Sequence, residues 1–123
     1  RAGAPVVMTA HILYPRVDPV FPVTLSQRIL QGILRDRLGF QGVVMSDGLE
    51  MGALSGRYSL KETVRGAFRA GVDILLLYTR YRIEDIVSVV EESIREGSLS
   101  EGDIDRGVER VLALKQAYGL LPR

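Results

Sequence analysis

The sequence has no cysteine, a single histidine, only two lysines and no long apolar run. Without cysteine, disulfides, thiol nucleophiles and Cys-based zinc sites are all excluded, although this does not choose between cytoplasm and exterior. One histidine cannot build a His-based metal site, and no spaced carboxylate cluster accompanies it. The net charge of +1 provides no field that would point to nucleic acid or an anionic membrane. No apolar stretch approaches the roughly 20 residues needed to span a bilayer. A phosphate-cradling loop is missing too: Gly39-Phe40-Gln41-Gly42 precedes a strand rather than opening a helix. The chain starts at Arg1-Ala2-Gly3-Ala4, with neither an initiator Met nor the apolar core of a signal peptide, so it is expected to be processed or part of something longer.

What is present suits one modest soluble domain: 123 residues, 46% hydrophobic and 25% charged. Three short apolar runs stand out: Pro5 to Ala10, Gly42 to Ser46, and Val72 to Tyr78. Runs without polar alternation suit strands buried on both faces of a parallel sheet. Helical patterns follow each run. Thr24-Leu25-Ser26-Gln27 reads as a capping box for a helix ending at Gly39, and Ser59-Leu60-Lys61-Glu62 as a second for a helix ending at Gly71. A third helix runs through Ile83, Ile86, Val87, Val90 and Ile94. A fourth opens at Ser100 and places Ile104, Val108, Val111, Leu112 and Leu114 inward. Strands alternating with helices imply parallel βαβ units. Three such units plus a closing helix correspond to about the last third of a (β/α)8 barrel, which takes about 250 residues.

Two long non-helical stretches, 11–23 and 47–58, both leave the C-terminal ends of strands, where parallel α/β folds build their sites. Asp47 ends the second run. A carboxylate fixed at a strand tip can attack an anomeric carbon or stabilise an oxocarbenium-like transition state; the plainer alternative is a loop aspartate capping the next turn. His11 ends the first run, where it could bond a ligand hydroxyl or move a proton, or simply tie down a neighbouring loop. Met51 could wall a sugar ring or fill core. Glu50 is read as solvated or salt-bridged rather than as a second catalytic acid. Asp73 is read as structural, and Arg28, Arg35, Arg37 and Glu91-Glu92 as solvated helix faces.

Several stretches together resemble the catalytic barrel of family 3 glycoside hydrolases, and within it the β-N-acetylhexosaminidase branch. They are Val7-Met8-Thr9-Ala10-His11-Ile12-Leu13-Tyr14-Pro15, then Gly39-Phe40-Gln41-Gly42-Val43-Val44-Met45-Ser46-Asp47, then Ala70-Gly71-Val72-Asp73-Ile74-Leu75-Leu76, closed by Arg110-Val111-Leu112-Ala113-Leu114-Lys115. The resemblance spans almost the whole chain. It implies that residues 1–123 form the C-terminal portion of one such barrel domain, three parallel βα units plus a closing helix. Asp47 would be the nucleophile of a retaining hydrolase without cofactor or metal, and His11 and Met51 would contact substrate. The implied substrate is a small oligosaccharide ending in β-linked N-acetylglucosamine, with peptidoglycan fragments as its natural source and the cytoplasm as the expected location, a secreted or surface form being left open. The branch's acid/base histidine and sugar-gripping segments belong to earlier strands, so a missing N-terminal barrel half is expected and the chain alone is expected to be silent. Many hexosaminidases of this branch carry a second acid directly after the nucleophile, where this chain has Gly48. The rival readings are a β-glucosidase or β-xylosidase of the same family and a non-catalytic carbohydrate-binding or assembly module.

Overall fold

The computed structural model describes residues 3–121. Strands β1 (Val6–Met8), β2 (Val43–Gly48) and β3 (Ile74–Leu76) form one parallel sheet in the order β1-β2-β3. Parallel neighbours require crossovers. Between β1 and β2 the chain runs through a 3-10 turn at Val23–Leu25 and a π-wound helix over Arg28–Arg37. Between β2 and β3 it forms α1 (Gly52–Ser55) and α2 (Leu60–Ala70), and β3 is followed by α3 (Ile83–Arg95) and α4 (Glu101–Ala117). Among the described residues no helix is long and apolar enough to cross a membrane.

The apolar runs become strands because they can be buried. Val7, Val44, Leu75 and Leu77 pack toward the helices, where they join Leu30, Val64, Ala67, Ala70 and Val72 in one core. Val44 and Val64 are fully buried, and each such side chain contributes roughly 1.5–3 kcal/mol. The other face of the sheet carries Met8, Met45 and Ile74 side by side through the pairing register, and Met8 is 54% exposed. The central strand, β2, is the one that carries Asp47.

The predicted capping box of Ser59 with Glu62 forms at α2, and Ser100, the expected opening of the fourth helix, makes another with Asp103 at α4. Gly71 closes α2 in the left-handed region, at φ 101°. The predicted box at Thr24 is not formed. Thr24 lies inside the 3-10 turn with its side chain turned into the protein, and Ser26 instead accepts the Ile29 N–H at 3.1 Å. Ser26 in turn donates to Asp18 at 2.6 Å. The helix starts two residues later than the box requires.

Arg35 corrects a second expectation. It is buried, not solvated. In a π helix residues five apart share a face, so Arg35 comes round beneath Leu30, the other buried residue of that helix. There it donates to Asp73 at 2.8 Å and to the carbonyls of Gly42 (2.6 Å) and Phe40 (3.2 Å). Asp73 also accepts from Arg110 of α4 at 2.9 Å and from the Val44 N–H at 2.8 Å. One carboxylate thus ties the π helix, β2 and α4 together at the end of the sheet away from Asp47, in keeping with its structural reading. Finally, α4 does not bury its whole stripe: Val108 and Leu112 remain 49% and 46% exposed, and only Gly107 is buried, against Asp73. That apolar edge finds no complete partner among the described residues.

Candidate active site

The pairing of β2 with β3 slips by one residue between Met45 and Gly48, which face Ile74 and Leu76. A bulge of this kind leaves one residue unpaired and re-aims the side chains beside it. Ser46 compensates: its hydroxyl, fully buried, accepts the Leu76 N–H at 2.9 Å in place of a backbone carbonyl. Asp47 follows directly. It is half-buried, and its Oδ1 accepts the N–H of Gly48 at 2.8 Å. The carboxylate is therefore oriented by its own strand and still reaches solvent.

His11, near the start of the loop leaving β1, reaches across to this tip. Its Nε2 lies 2.9 Å from the Gly48 carbonyl and its Nδ1 lies 2.7 Å from Thr24 Oγ1. Thr24 Oγ1 also bonds Thr9 Oγ1 at 2.8 Å, and both threonines are buried. The loop itself is held by Asp18, whose Oδ1 accepts the N–H groups of Val20 and Phe21 at 3.0 and 3.1 Å. Burial pushes the Asp18 carboxyl up, but the Ser26 hydroxyl, these N–H groups and nearby Arg28 outweigh it and hold the group below its ordinary value.

Met51 follows on the same loop as Asp47 and is 42% exposed. Glu50 is not solvated in the sense expected. Its two oxygens accept the N–H groups of Tyr78 (2.7 Å), Arg80 (2.8 Å) and Tyr81 (3.1 Å), clipping the loop after β3 onto the loop after β2. The Tyr78 ring so placed lies over Gly48, where an added Cβ would overlap it. Partial burial raises the Glu50 carboxyl, and the backbone N–H groups of residues 78–81 more than reverse this, so the folded value lies below the ordinary 4.5. A lowered carboxylate contributes stability above its unfolded value, and that contribution is lost as pH falls through the folded value. The Tyr78, Arg80 and Tyr81 amides should thus lose protection below about pH 4.5, relative to intrinsic exchange. In Glu50→Gln they should be weakly protected at every pH. Hydrogen exchange read by mass spectrometry checks both, and unchanged protection in the variant would remove the clip.

Asp47, His11 and Met51 line none of three cavities of about 280 to 410 Å³ found elsewhere among the described residues. The three residues gather at one end of the sheet, apart from these cavities. No group of three or more His, Asp or Glu side chains converges as a metal site among the described residues.

Residues 1–114 match the sequence model of the Glycosyl hydrolase family 3 N terminal domain. The chain belongs to glycosyl hydrolase family 3. Within the family it is 42% identical over 123 residues to a beta-hexosaminidase of Neisseria gonorrhoeae, covering 97% of this chain and 34% of that protein. It is 33% identical to a beta-N-acetylglucosaminidase/beta-glucosidase of Cellulomonas fimi, over 97% of this chain and 22% of that one. Among solved structures it superposes with a TM-score of 0.89 and 42% identity on a family 3 beta-N-acetylglucosaminidase from Paenibacillus, covering 96% of this chain and 23% of that one. The chain thus spans about a fifth to a third of the length of these relatives. The model matched is that of the family's N-terminal domain, whereas the sequence resemblance placed the chain in the C-terminal portion of a barrel.

Sequence reasoning singled out Asp47, His11 and Met51, and the structure brings them to one end of the sheet. It missed Thr24, Ser46 and the clip made by Glu50. Thr24 was masked by a capping-box spacing that the chain does not use. Ser46 is a polar residue inside an apolar strand, which could have signalled a broken ladder.

Proposed function

We propose that the full-length protein hydrolyses terminal β-linked N-acetylglucosamine with retention, using Asp47 as nucleophile. The observation that carries this is Asp47 at the bulged C-terminal tip of the central strand, its carboxylate oriented by the Gly48 N–H. The likeness to the Neisseria beta-hexosaminidase and the Paenibacillus beta-N-acetylglucosaminidase supports the sugar. In this reading the Asp47 carboxylate attacks the anomeric carbon while the glycosidic C–O bond breaks and the leaving oxygen takes a proton from a general acid. Water then gives a proton back to that group and displaces Asp47. Met51 supplies an apolar wall beside the ring. Peptidoglycan fragments are the natural substrate in this reading.

The chain's place in the protein follows from what it leaves open. Its three βα units and closing helix are read as the C-terminal third or so of a (β/α)8 barrel. The remaining units would cover the exposed Met8 and add walls around Asp47. They would also bring the general acid, since the chain's one histidine is engaged by Thr24 and Gly48. Alone, the chain would lack acid–base assistance of about 10²–10⁴-fold and would be silent.

A mechanism-based fluorosugar that traps retaining nucleophiles should label the full-length protein on the peptide containing Asp47; labelling at Glu50 or elsewhere overturns the assignment. The Cellulomonas relative, named for both activities, favours one second reading, a β-glucosidase. Faster cleavage of an aryl glucoside than of an aryl N-acetylglucosaminide would select it.

A further inference from the structure

We propose that His11 is a positioning residue, the strut of a directed hydrogen-bond chain that fixes the Asp47 tip from the buried Thr9–Thr24 pair, rather than a ligand of the sugar. The inference rests on Asp47 being the nucleophile, but its geometry stands separately. A carbonyl only accepts, so the contact between Nε2 and the Gly48 oxygen at 2.9 Å requires the ring proton on Nε2. In that tautomer Nδ1 is an acceptor, and the 2.7 Å contact is made by the Thr24 hydroxyl donating to it. With that proton committed, Thr9 must donate to Thr24 across their 2.8 Å contact. The direction is then fixed throughout: Thr9 to Thr24, Thr24 to His11, His11 to Gly48. A ring protonated on both nitrogens would reverse this order at its buried end, Thr24 accepting from Nδ1 and donating to Thr9 or to the Ala10 carbonyl at 3.4 Å.

The end of the chain is Gly48, and Gly48 is gripped twice. Its carbonyl is held by His11 and by the Met51 N–H at 3.1 Å, and its N–H holds Asp47 Oδ1 at 2.8 Å. Glycine is the residue whose backbone turns most easily. Losing the His11 bond leaves the Met51 N–H as the remaining hold on that carbonyl, which loosens the Gly48 backbone beside the N–H that aims the carboxylate. Both His11 nitrogens are already spent, which leaves the ring no polar atom to offer a hydroxyl.

Thr24 separates the strut from the ligand reading, because it is fully buried and cannot touch a sugar. In the full-length protein, Thr24→Val and His11→Ala should each lower the rate of fluorosugar trapping at Asp47, and kcat, by about ten- to a hundredfold, as a small misplacement of a reacting group can do. KM should stay near the wild-type value. His11→Gln, which keeps a donor toward Gly48, should recover part of the loss. If His11→Ala instead raises KM at unchanged kcat while Thr24→Val behaves as wild type, His11 is a sugar ligand and the proposal falls. Nitrogen NMR of the single histidine in the wild-type protein tests the chain even if a variant fails to fold: protonated Nε2 with an accepting Nδ1 is expected, and the opposite tautomer overturns it. Labelling of the wild type away from Asp47 would sink the nucleophile assignment and the catalytic consequence, with the tautomer still deciding whether the strut exists.

Discussion

Asp47→Ala in the full-length protein will lower kcat on an aryl N-acetylglucosaminide by roughly four orders of magnitude or more, the scale seen when an enzyme loses its nucleophile outright. The fold should be untouched. Asp47 is half-buried at a strand tip, lies outside the hydrophobic core, and makes only a local bond to the next residue. The loss is chemical: without a carboxylate no covalent intermediate forms, and the oxocarbenium-like transition state loses the negative charge below it. Azide should restore part of the rate by occupying the vacated space and attacking the same carbon, leaving a glycosyl azide of inverted configuration. Circular dichroism and a thermal transition matching the wild type establish that the variant is folded. Wild-type turnover by the variant would end the assignment, and folded protein with no azide product would argue that Asp47 stabilises charge without forming a bond.

The largest effect on stability is expected at the other end of the sheet. Asp73→Ala should destabilise the protein by about 3–5 kcal/mol, the range for breaking a buried ion pair by removing one partner. The side chains of Asp73 and Arg35 are only 1% and 6% exposed. Without the carboxylate, Arg35 keeps its bonds to the Gly42 and Phe40 carbonyls but loses its counter-charge, Arg110 loses its ion partner at 2.9 Å, and the Val44 N–H loses its side-chain acceptor. Against a usual total of about 5–15 kcal/mol this is a large share. A fall in the urea midpoint at unchanged slope would show it. A change below about 1 kcal/mol would mean that the network is solvated and does not hold the three elements together. Asp73→Asn should lie between, since an amide oxygen still accepts two of the bonds.

Much of this architecture was legible in the residues. The three apolar runs became three parallel strands in chain order, because uninterrupted β-branched and leucine-rich segments can only be satisfied between two covered faces. The boxes at Ser59 and Ser100 formed because their spacing satisfies local donors without help from elsewhere. What failed depended on winding or on distant partners. The spacing of Leu30 and Leu34 is equally good for an α helix, and only the π winding that the helix adopts carries Arg35 inward. Thr24 has the right neighbours for a cap but is claimed by Thr9 and His11, each over a dozen residues away. Glu50 looked solvated because its partners are backbone amides 28 to 31 residues on, and these leave no side-chain signature. The inward stripe of α4 was read correctly as apolar, but amphipathicity does not say which surface will meet it.

The contact between Gly48 and Tyr78 links two positions of this site. Any side chain added at Gly48 would enter the space of the Tyr78 ring as it now lies. The clashing atoms are the far end of an exposed side chain, so the Tyr78 ring can swing aside while Glu50 keeps its backbone and those of Arg80 and Tyr81 in place. A side chain at position 48 and the present placing of the Tyr78 ring therefore exclude one another. The two residues, thirty apart in sequence, are thus coupled through space, and a change at one is best read together with the other.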